Sequence, residues 1–336
     1  MKLTTEEIER RLVATTDVQE EMFLLLRLSD RMTRNHPRQA IQYAQRVVHL
    51  ASIHNHKENK AHGWRLTGVS LFMLGEYKEA LPLLRSALAV FERLGDELMS
   101  AKTRHYIAAI SVSTGEHGNA LELFERGLAT FKKLGDTSWI ITTRNYISYV
   151  YEQTGDVDKA IRSYLDTLEL VRSLDDKSHL GKSLYNVAVL YGRIGNYDKA
   201  LECANASFEI WTGLNDTRGM GLVLQFTAQC YVYMGRSEEA GKIIPRAEKL
   251  LRKLGAKDHL ADMQICRGRI ALEKASDARA MSHFRRAFRM AVHTGNKNMA
   301  VTSLGFMGKT CMYRGQYRSA LKFYVSRVQA AFCPRR

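Results

Sequence analysis

The sequence predicts an all-α protein, a solenoid of eight helix-turn-helix repeats, and two periodic features predict it. An alanine recurs every 40 residues, with no insertion or deletion between copies. A glycine stands five residues before six of these alanines, and Asn35 and Ala275 replace it in the first and seventh copies. The alanines are Ala40, Ala80, Ala120, Ala160, Ala200, Ala240, Ala280 and Ala320, and the glycines are Gly75, Gly115, Gly155, Gly195, Gly235 and Gly315.

A second mark, Leu-Gly-Asp or a close variant, follows four of the repeats. Glycine and asparagine adopt the left-handed conformation that ends many helices. The aspartate after them can accept a hydrogen bond from the start of the next helix. Each repeat is therefore predicted to contain two helices of roughly 16 residues. The four copies are Leu94-Gly95-Asp96, Leu134-Gly135-Asp136, Leu174-Asp175-Asp176 and Leu214-Asn215-Asp216.

Apolar residues between these marks recur at helical spacing, as at Leu81, Leu84, Leu88 and Phe91. Small residues stand where the paired helices have to approach each other closely. In the first helix of each pair they are Gly68, Ala108, Ser148, Ala188, Ala228, Gly268 and Gly308.

The chain has only four prolines, and three of them agree with this reading. Pro37 stands at the start of a second helix, where its missing N–H costs nothing, Pro82 lies early in another, and Pro334 follows the last helix. Pro245 falls in the middle of a second helix, so the sequence predicts a kink there.

The period also sets the predicted organisation of the chain. Residues 1–20 are predicted to form an N-terminal capping helix, residues 21–332 the array, and residues 333–336 a tail. A string of two or three globular domains is the alternative for 336 residues, but the scarcity of proline and the unbroken period favour the array. The predicted units are 21–60, 61–100, 101–140, 141–180, 181–220, 221–260, 261–300 and 301–332.

Composition narrows the class of protein. With 45% hydrophobic residues the chain is too apolar to be disordered, and no segment approaches the roughly 20 apolar residues of a membrane helix. The first seven residues lack the apolar stretch of a secretory signal. The five cysteines are scattered and odd in number, which indicates buried thiols rather than disulfides or a metal site. We expect a soluble, cytoplasmic protein that does not associate with membranes.

The net charge of +15 is concentrated at one end. From Ala261 onward, 15 lysines and arginines face three acidic residues, whereas the preceding 260 residues carry 35 basic and 32 acidic residues. Such a basic end attracts an acidic protein surface or a nucleic acid. The candidate basic patch consists of Arg285, Arg286, Arg289, Arg318, Lys322 and Arg327.

The repeat as a whole resembles the tetratricopeptide repeat. A small residue is followed seven residues later by Gly-x-Tyr-x-x-Ala, as in Gly68, Gly75, Tyr77 and Ala80. The family repeat is usually shorter, and this 40-residue form resembles the sensory or scaffold arrays of bacterial signalling proteins and of eukaryotic G-protein regulators. The resemblance implies a right-handed superhelix whose first helices line a concave groove. Arg104 departs from the family pattern, because it stands where the second unit has the aromatic Trp64.

The resemblance also implies which first-helix positions face the groove. Asparagine and glutamine can bond a peptide backbone at both its donor and its acceptor, and aromatic rings supply contact area. We therefore expect a partner-binding groove; the alternative is that about half of the matched residues only pack helix on helix. The candidate groove residues are Arg65, Tyr106, Asn145, Tyr149, Asn186, Gln225, Gln229, Arg269 and Lys309, and other matched positions include Val69, His105 and Ala109.

No set of residues predicts an enzyme, a cofactor or a metal site. The segments Gly181-Lys182-Ser183 and Gly308-Lys309-Thr310 resemble the end of a phosphate-binding loop, but both fall inside predicted helices and lack the first glycine. His49, His54 and His56 crowd a predicted turn without a cysteine.

We expect a non-enzymatic protein-interaction scaffold, or a ligand-sensing regulatory module, that binds a peptide or protein segment in its groove. The alternative is a nucleic-acid-binding repeat protein that uses the basic end.

The last predicted helix carries more apolar residues than its inward side requires. Terminal units of an array need a polar outer face, so part of this apolar stripe is expected to be covered, either by a second copy of the chain or by a following domain. The residues are Leu321, Tyr324, Val325, Val328 and Phe332.

Overall fold

The computed structural model describes residues 4–33, 36–174 and 176–332, with nothing stated for the side chains of residues 331 and 332. This described part consists of seventeen helices without a strand, so the predicted all-α class is confirmed. The helices are α1 Thr5–Ala14, α2 Val18–Met32, α3 Pro37–Ile53, α4 Lys57–Met73, α5 Tyr77–Leu94, α6 Glu97–Thr114, α7 His117–Leu134, α8 Thr137–Gln153, α9 Val157–Arg172, α10 Lys177–Arg193, α11 Tyr197–Gly213, α12 Thr217–Tyr233, α13 Ser237–Lys253, α14 Lys257–Glu273, α15 Asp277–Thr294, α16 Lys297–Tyr313 and α17 Tyr317–Phe332.

The chain divides into two compact units, one up to Thr167 and the other from Leu168. We call them unit 1 and unit 2. In each unit, consecutive helices pack as antiparallel pairs with their own apolar cores, as the repeat predicts. The repeated alanines lie inside these pairs and are almost fully buried, from Ala40 to Ala320.

Three of the four predicted punctuation marks end and begin helices as expected, whereas Asp175 of the fourth lies outside the described residues. Gly95 and Gly135 both have φ of 69°, and Asn215 has φ of 52°, so all three adopt the left-handed conformation. The Asp96 side chain accepts a hydrogen bond from the Met99 backbone N–H at 2.9 Å. Asp136, Asp176 and Asp216 cap α8, α10 and α12 in the same way.

The seventh repeat keeps its turn without a glycine. Ala275 adopts φ of 51°, a conformation that is strained for alanine. Its N–H donates to the Leu272 carbonyl at 2.9 Å, and the Ser276 N–H donates to the Ala271 carbonyl at 2.8 Å. The packing of α14 on α15 therefore imposes a turn that local preference alone disfavours. Asn35, the substitute in the first repeat, lies outside the described residues.

The predicted close approaches between paired helices are present. A Cβ atom on Gly268 would lie 2.3 Å from Cε1 of Phe284, and one on Gly68 would lie 2.7 Å from Cγ of Leu84. Phe284 and Leu84 are both fully buried. Glycine is therefore required sterically at these two positions, since a side chain would collide with the core of the pair.

The three prolines in the described part of the chain lie at the helix positions that the sequence predicts. Pro37 is the first residue of α3, whereas Pro82 and Pro245 lie within α5 and α13. Helix α13 continues from Ser237 to Lys253 without interruption despite Pro245. Pro334 lies outside the described residues.

The N-terminal helix α1 packs on the first repeat through Ile8, which contacts Leu24 and Leu28 of α2. A reciprocal pair of hydrogen bonds between Thr4 and Glu7 starts α1. Helix α2 begins at Val18, three residues before the predicted start of the array, because Asp17 caps it through the N–H groups of Gln19 and Glu20.

Candidate partner-binding surfaces

The first helices of the repeats form one layer in each unit. In unit 1, helices α2, α4, α6 and α8 contact one another in sequence, and in unit 2 the same holds for α10, α12, α14 and α16. Within the described residues, the second helices α3, α5 and α7, and likewise α11, α13, α15 and α17, contact first helices but not one another. We call the layer of first helices in each unit its inner layer, so there is an inner layer of unit 1 and an inner layer of unit 2.

The inner layer of unit 1 carries the candidate residues Arg65, Tyr106, Asn145 and Tyr149. The Arg65 guanidinium is mostly buried and lies 3.9 Å from the Asp30 carboxylate. Its Nε and the Oδ1 atom of Asn145 are buried without a hydrogen-bond partner. The Tyr106 ring packs against Phe72 at 6.0 Å between centroids, and Tyr149 is exposed. This layer therefore combines unsatisfied polar atoms with aromatic surface.

Burial controls the charge of this layer. The pKa of Lys102 is lowered, mainly because its ammonium group is partly removed from water. Burial, assisted by the Arg65 charge, lowers the pKa of His62 to about 4. His62 is therefore neutral at pH 7, whereas Arg65 lies near the Asp30 carboxylate.

Three matched positions do not face outward. Val69, His105 and Ala109 are buried, and His105 bonds through Nδ1 to the Thr143 hydroxyl at 3.2 Å. Rings surround His105, with the centroid of Tyr146 at 4.8 Å, and burial lowers its pKa to about 3. The groove-facing placement of these three residues was therefore wrong, because they pack helix on helix, as the alternative reading of the matched set had it.

The inner layer of unit 2 carries the other candidates. Asn186 and Gln229 are half-buried, and Lys309 is exposed beside the Tyr313 ring. The Arg269 guanidinium lies 4.1 Å from the centroid of Tyr233, a cation–π contact. Gln225 is buried and points along the layer toward the next first helix.

The structure adds Asp262, which the sequence reasoning missed. Nε2 of Gln225 on α12 donates a hydrogen bond to Oδ2 of Asp262 on α14 at 2.8 Å. Asp262 stands 80 residues after Lys182 and 160 after Lys102, and the family resemblance implies that this position of the repeat faces the groove. An aspartate at a position where two other repeats have lysine is the feature of the sequence that could have indicated this residue.

The basic patch is exposed on two second helices of unit 2. Arg285, Arg286 and Arg289 lie on α15, whereas Arg318, Lys322 and Arg327 lie on α17. None of these six side chains forms an ion pair with a residue in the described part of the chain. The Arg327 guanidinium lies beside Gly305 of α16. The patch is therefore a strongly positive surface on the second helices, and only Arg327 of the six is shown to contact the first helix α16.

Helix α17 also exposes apolar side chains. Leu321 is 64% exposed and Val328 is 56% exposed, and Val325 and Tyr317 are exposed with them. Tyr324 instead packs against Gly308, where an added Cβ would lie 3.0 Å from its ring. Part of the predicted stripe is thus exposed, and the side chain of Phe332 lies outside the described residues.

The sequence segments that resemble phosphate-binding loops are helical. Gly181-Lys182-Ser183 lies within α10 and Gly308-Lys309-Thr310 lies within α16. The Trp211 ring is packed so closely against Gly181 that an added Cβ would lie 2.9 Å from it. Neither segment forms an open loop that could surround a phosphate.

The described residues contain no group of histidine, cysteine or acidic side chains that could hold a metal ion. Within that same part of the chain, no helix is long and apolar enough to span a membrane.

Cys203, Cys230, Cys266 and Cys311 are free thiols, whereas Cys333 lies outside the described residues. Burial raises the pKa of both Cys230 and Cys266 to about 12, so these two are protonated thiols at neutral pH.

A family model described as tetratricopeptide repeat matches residues 59–133, 139–213 and 180–253. No curated protein sequence matches the chain.

Several solved structures resemble it. A Rap protein complexed with competence and sporulation factor has 14% identity and a TM-score of 0.76, with 97% of this chain and 91% of that chain covered. The apo form of the quorum sensor NprR from B. thuringiensis has 13% identity and a TM-score of 0.72, with coverages of 97% and 92%. Aspartyl phosphate phosphatase F from Bacillus subtilis has 10% identity and a TM-score of 0.70, with coverages of 98% and 88%. At these identities the likeness establishes the fold alone.

Proposed function

We propose that this chain, which belongs to the tetratricopeptide repeat family, is a non-enzymatic scaffold or ligand-sensing regulatory module that binds a peptide or protein segment on its inner layers. The observation that carries the proposal is a pair of buried amide oxygens without donors, Oδ1 of Asn145 in unit 1 and Oε1 of Gln225 in unit 2. Buried polar atoms are normally hydrogen-bonded, so two unsatisfied acceptors at matched groove positions favour a ligand that supplies N–H groups.

An extended peptide has the chemistry that these layers require. Its backbone offers N–H and C=O groups at regular spacing, which Asn145, Asn186 and Gln229 can bond from their amides. Exposed Tyr149 offers a ring for apolar side chains. The Rap protein was solved with competence and sporulation factor, and NprR is described as a quorum sensor. These similar folds support a sensory role for this chain.

The test begins with a random peptide library displayed on phage and selected against the whole chain. The affinity of each selected peptide is then measured for two inner-layer variants, Asn186→Ala with Gln229→Ala in unit 2 and Asn145→Ala with Tyr149→Ala in unit 1. Gln45→Ala and Asn205→Ala are matched controls, because these amides are exposed on the second helices α3 and α11.

We expect at least one inner-layer variant to lose about tenfold in affinity, equivalent to about 1.4 kcal/mol, while the controls bind as the parent does. Equal affinity of the parent and both inner-layer variants, with helicity unchanged, would move the binding surface elsewhere.

The basic patch of unit 2 is proposed to bind an acidic protein surface. Six unpaired cations on α15 and α17 produce a field that speeds association with an acidic partner and weakens as salt rises. Poly-glutamate and mixed-sequence oligonucleotides distinguish the two classes of partner. Preferential binding of the oligonucleotides, lost in Arg285→Ala with Arg289→Ala, would favour the nucleic-acid alternative instead.

A further inference from the structure

The Gln225–Asp262 pair in the inner layer of unit 2 lacks a positive charge. The Asp262 carboxyl accepts one hydrogen bond, from Nε2 of Gln225 at 2.8 Å. Among the described residues, no lysine, arginine or histidine lies within 4.0 Å of its oxygens. Arg269, two turns further along the same helix, is instead held over the Tyr233 ring at 4.1 Å. Asp262 is therefore a partly buried acid without a counter-ion.

A second unsatisfied group stands beside it. Gln225 is 7% exposed, and its Oε1 atom is buried without a hydrogen-bond donor. Nε2 of Gln225 already donates to Asp262. Rotation of the amide group by about 180° would place Oε1 against the carboxylate and would break that hydrogen bond. The site presents a carboxylate without a cation and a carbonyl oxygen without a donor.

The surroundings of Asp262 favour its protonated form. Burial raises the pKa of Asp262 to about 7, and the charge of Asp258 acts in the same direction. Three other titratable groups lie near Asp262: Tyr185 on α10, Cys230 on α12 and Cys266 on α14. Burial raises the pKa of all three.

Polar and charged side chains of the other neighbouring helices contact partners other than Asp262. Glu248 of α13 and His283 of α15 both bond Gln264. Thr294 at the end of α15 bonds Asp258, and Lys309 of α16 lies beside the Tyr313 ring. His283 and Lys309, the two groups of this set that can carry a positive charge, therefore have partners other than Asp262.

We propose that Gln225 and Asp262 form a subsite for a positively charged side chain, lysine or arginine, of a peptide bound to the inner layer of unit 2. An ammonium or guanidinium group carries several N–H donors, so one group supplies both the charge that Asp262 lacks and the donor that Gln225 Oε1 lacks. Tyr185, whose pKa the nearby Asp262 charge helps to raise, adds an aromatic ring close to the carboxylate. The inference rests on the proposed peptide-binding function and names the chemistry of its ligand.

The protonation of Asp262 makes the affinity of the subsite for a cation depend on pH. A cation binds the ionised carboxylate and not the protonated acid. Because burial places the pKa of Asp262 near 7, affinity for the cation should rise between pH 6 and pH 8. A bound cation in turn lowers that pKa, so binding near pH 7 releases a proton.

The test uses three pools of capped synthetic hexapeptides, in which one position is fixed as lysine, arginine or uncharged norleucine and the others are varied. Each pool is passed over the immobilised whole chain, and recovery is quantified by mass spectrometry at pH 6 and pH 8. The same is done with Asp262→Asn, which keeps the shape and the hydrogen bond to Gln225. Asp198→Asn is the matched control, because Asp198 is exposed on the second helix α11.

The parent and Asp198→Asn should recover the lysine or arginine pool at least fivefold better than the norleucine pool at pH 8, with a smaller ratio at pH 6. Asp262→Asn should recover all pools equally at both pH values. Equal recovery of the pools by the parent, or a cation preference that survives in Asp262→Asn, would overturn the subsite while leaving peptide binding intact. Recovery of no pool by the parent overturns both the subsite and the proposed function.

Discussion

Replacement of Gly268 by alanine tests the close approach of α14 and α15. The new Cβ would lie 2.3 Å from Cε1 of Phe284, whose ring is fully buried and cannot move into solvent. Overpacking of this kind costs about 1–3 kcal/mol. Gly241 on α13 is the matched control, because it is also helical but has no atom within 4 Å of its Cβ position.

The two variants share one favourable effect, since alanine is better than glycine in a helix by about 1 kcal/mol. Gly241→Ala should therefore raise the free energy of unfolding by about 1 kcal/mol, and Gly268→Ala should be about 1–3 kcal/mol less stable than Gly241→Ala. Urea unfolding followed by far-UV circular dichroism, with unchanged m values, measures the difference. Combining Gly268→Ala with Phe284→Leu should recover part of the steric loss. If Gly268→Ala is as stable as Gly241→Ala, the assigned packing of Phe284 is wrong.

Three further predictions address the caps, acid stability and helix α17. Asp96→Ala removes the bond to the Met99 N–H and should lower stability by about 1 kcal/mol in urea unfolding, whereas an unchanged midpoint would show that the cap contributes nothing. Burial lowers the pKa of His105 to about 3, so the unfolded chain binds a proton below about pH 6.5 that the folded chain does not. Stability should fall on acidification from pH 6.5 toward pH 3, by at most about 1.4 kcal/mol per pH unit from this residue, and should fall less steeply in His105→Phe; parallel curves would refute this. If a second copy covers α17, sedimentation should show self-association of the parent that Val325→Glu with Val328→Glu abolishes, and a parent that stays monomeric at high concentration would contradict it.

The repeat register was predictable because each mark has a local physical cause. Gly95 and Gly135 adopt the left-handed conformation, and Asp96 and Asp136 cap the following helices, through contacts within a few residues of each other. Gly268 was predictable from the same register, since a small residue recurs wherever paired helices meet. The unbroken period of 40 residues therefore predicts both where helices are capped and where paired helices approach each other closely.

Contacts between neighbouring repeats were not predictable in the same way. Asp262 meets Gln225 across 37 residues, and the contact depends on how α12 and α14 pack rather than on a local preference. His105 was expected at a groove-facing position, but rings from α7 and α8 enclose it. The turn at Ala275 was predictable from the register but not from local preference, because helix packing maintains a conformation that alanine disfavours.

The most direct test of the inner-layer proposal is photocrosslinking with a peptide selected against the whole chain and carrying a benzophenone group. Mass spectrometry of the crosslinked fragments locates the residues that contact the bound peptide. The proposal predicts crosslinks on the first helices, α4, α6 and α8 of unit 1 or α10, α12, α14 and α16 of unit 2, with competition by unlabelled peptide. Competed crosslinks confined to the second helices α5, α7, α11, α13 and α15 would contradict it.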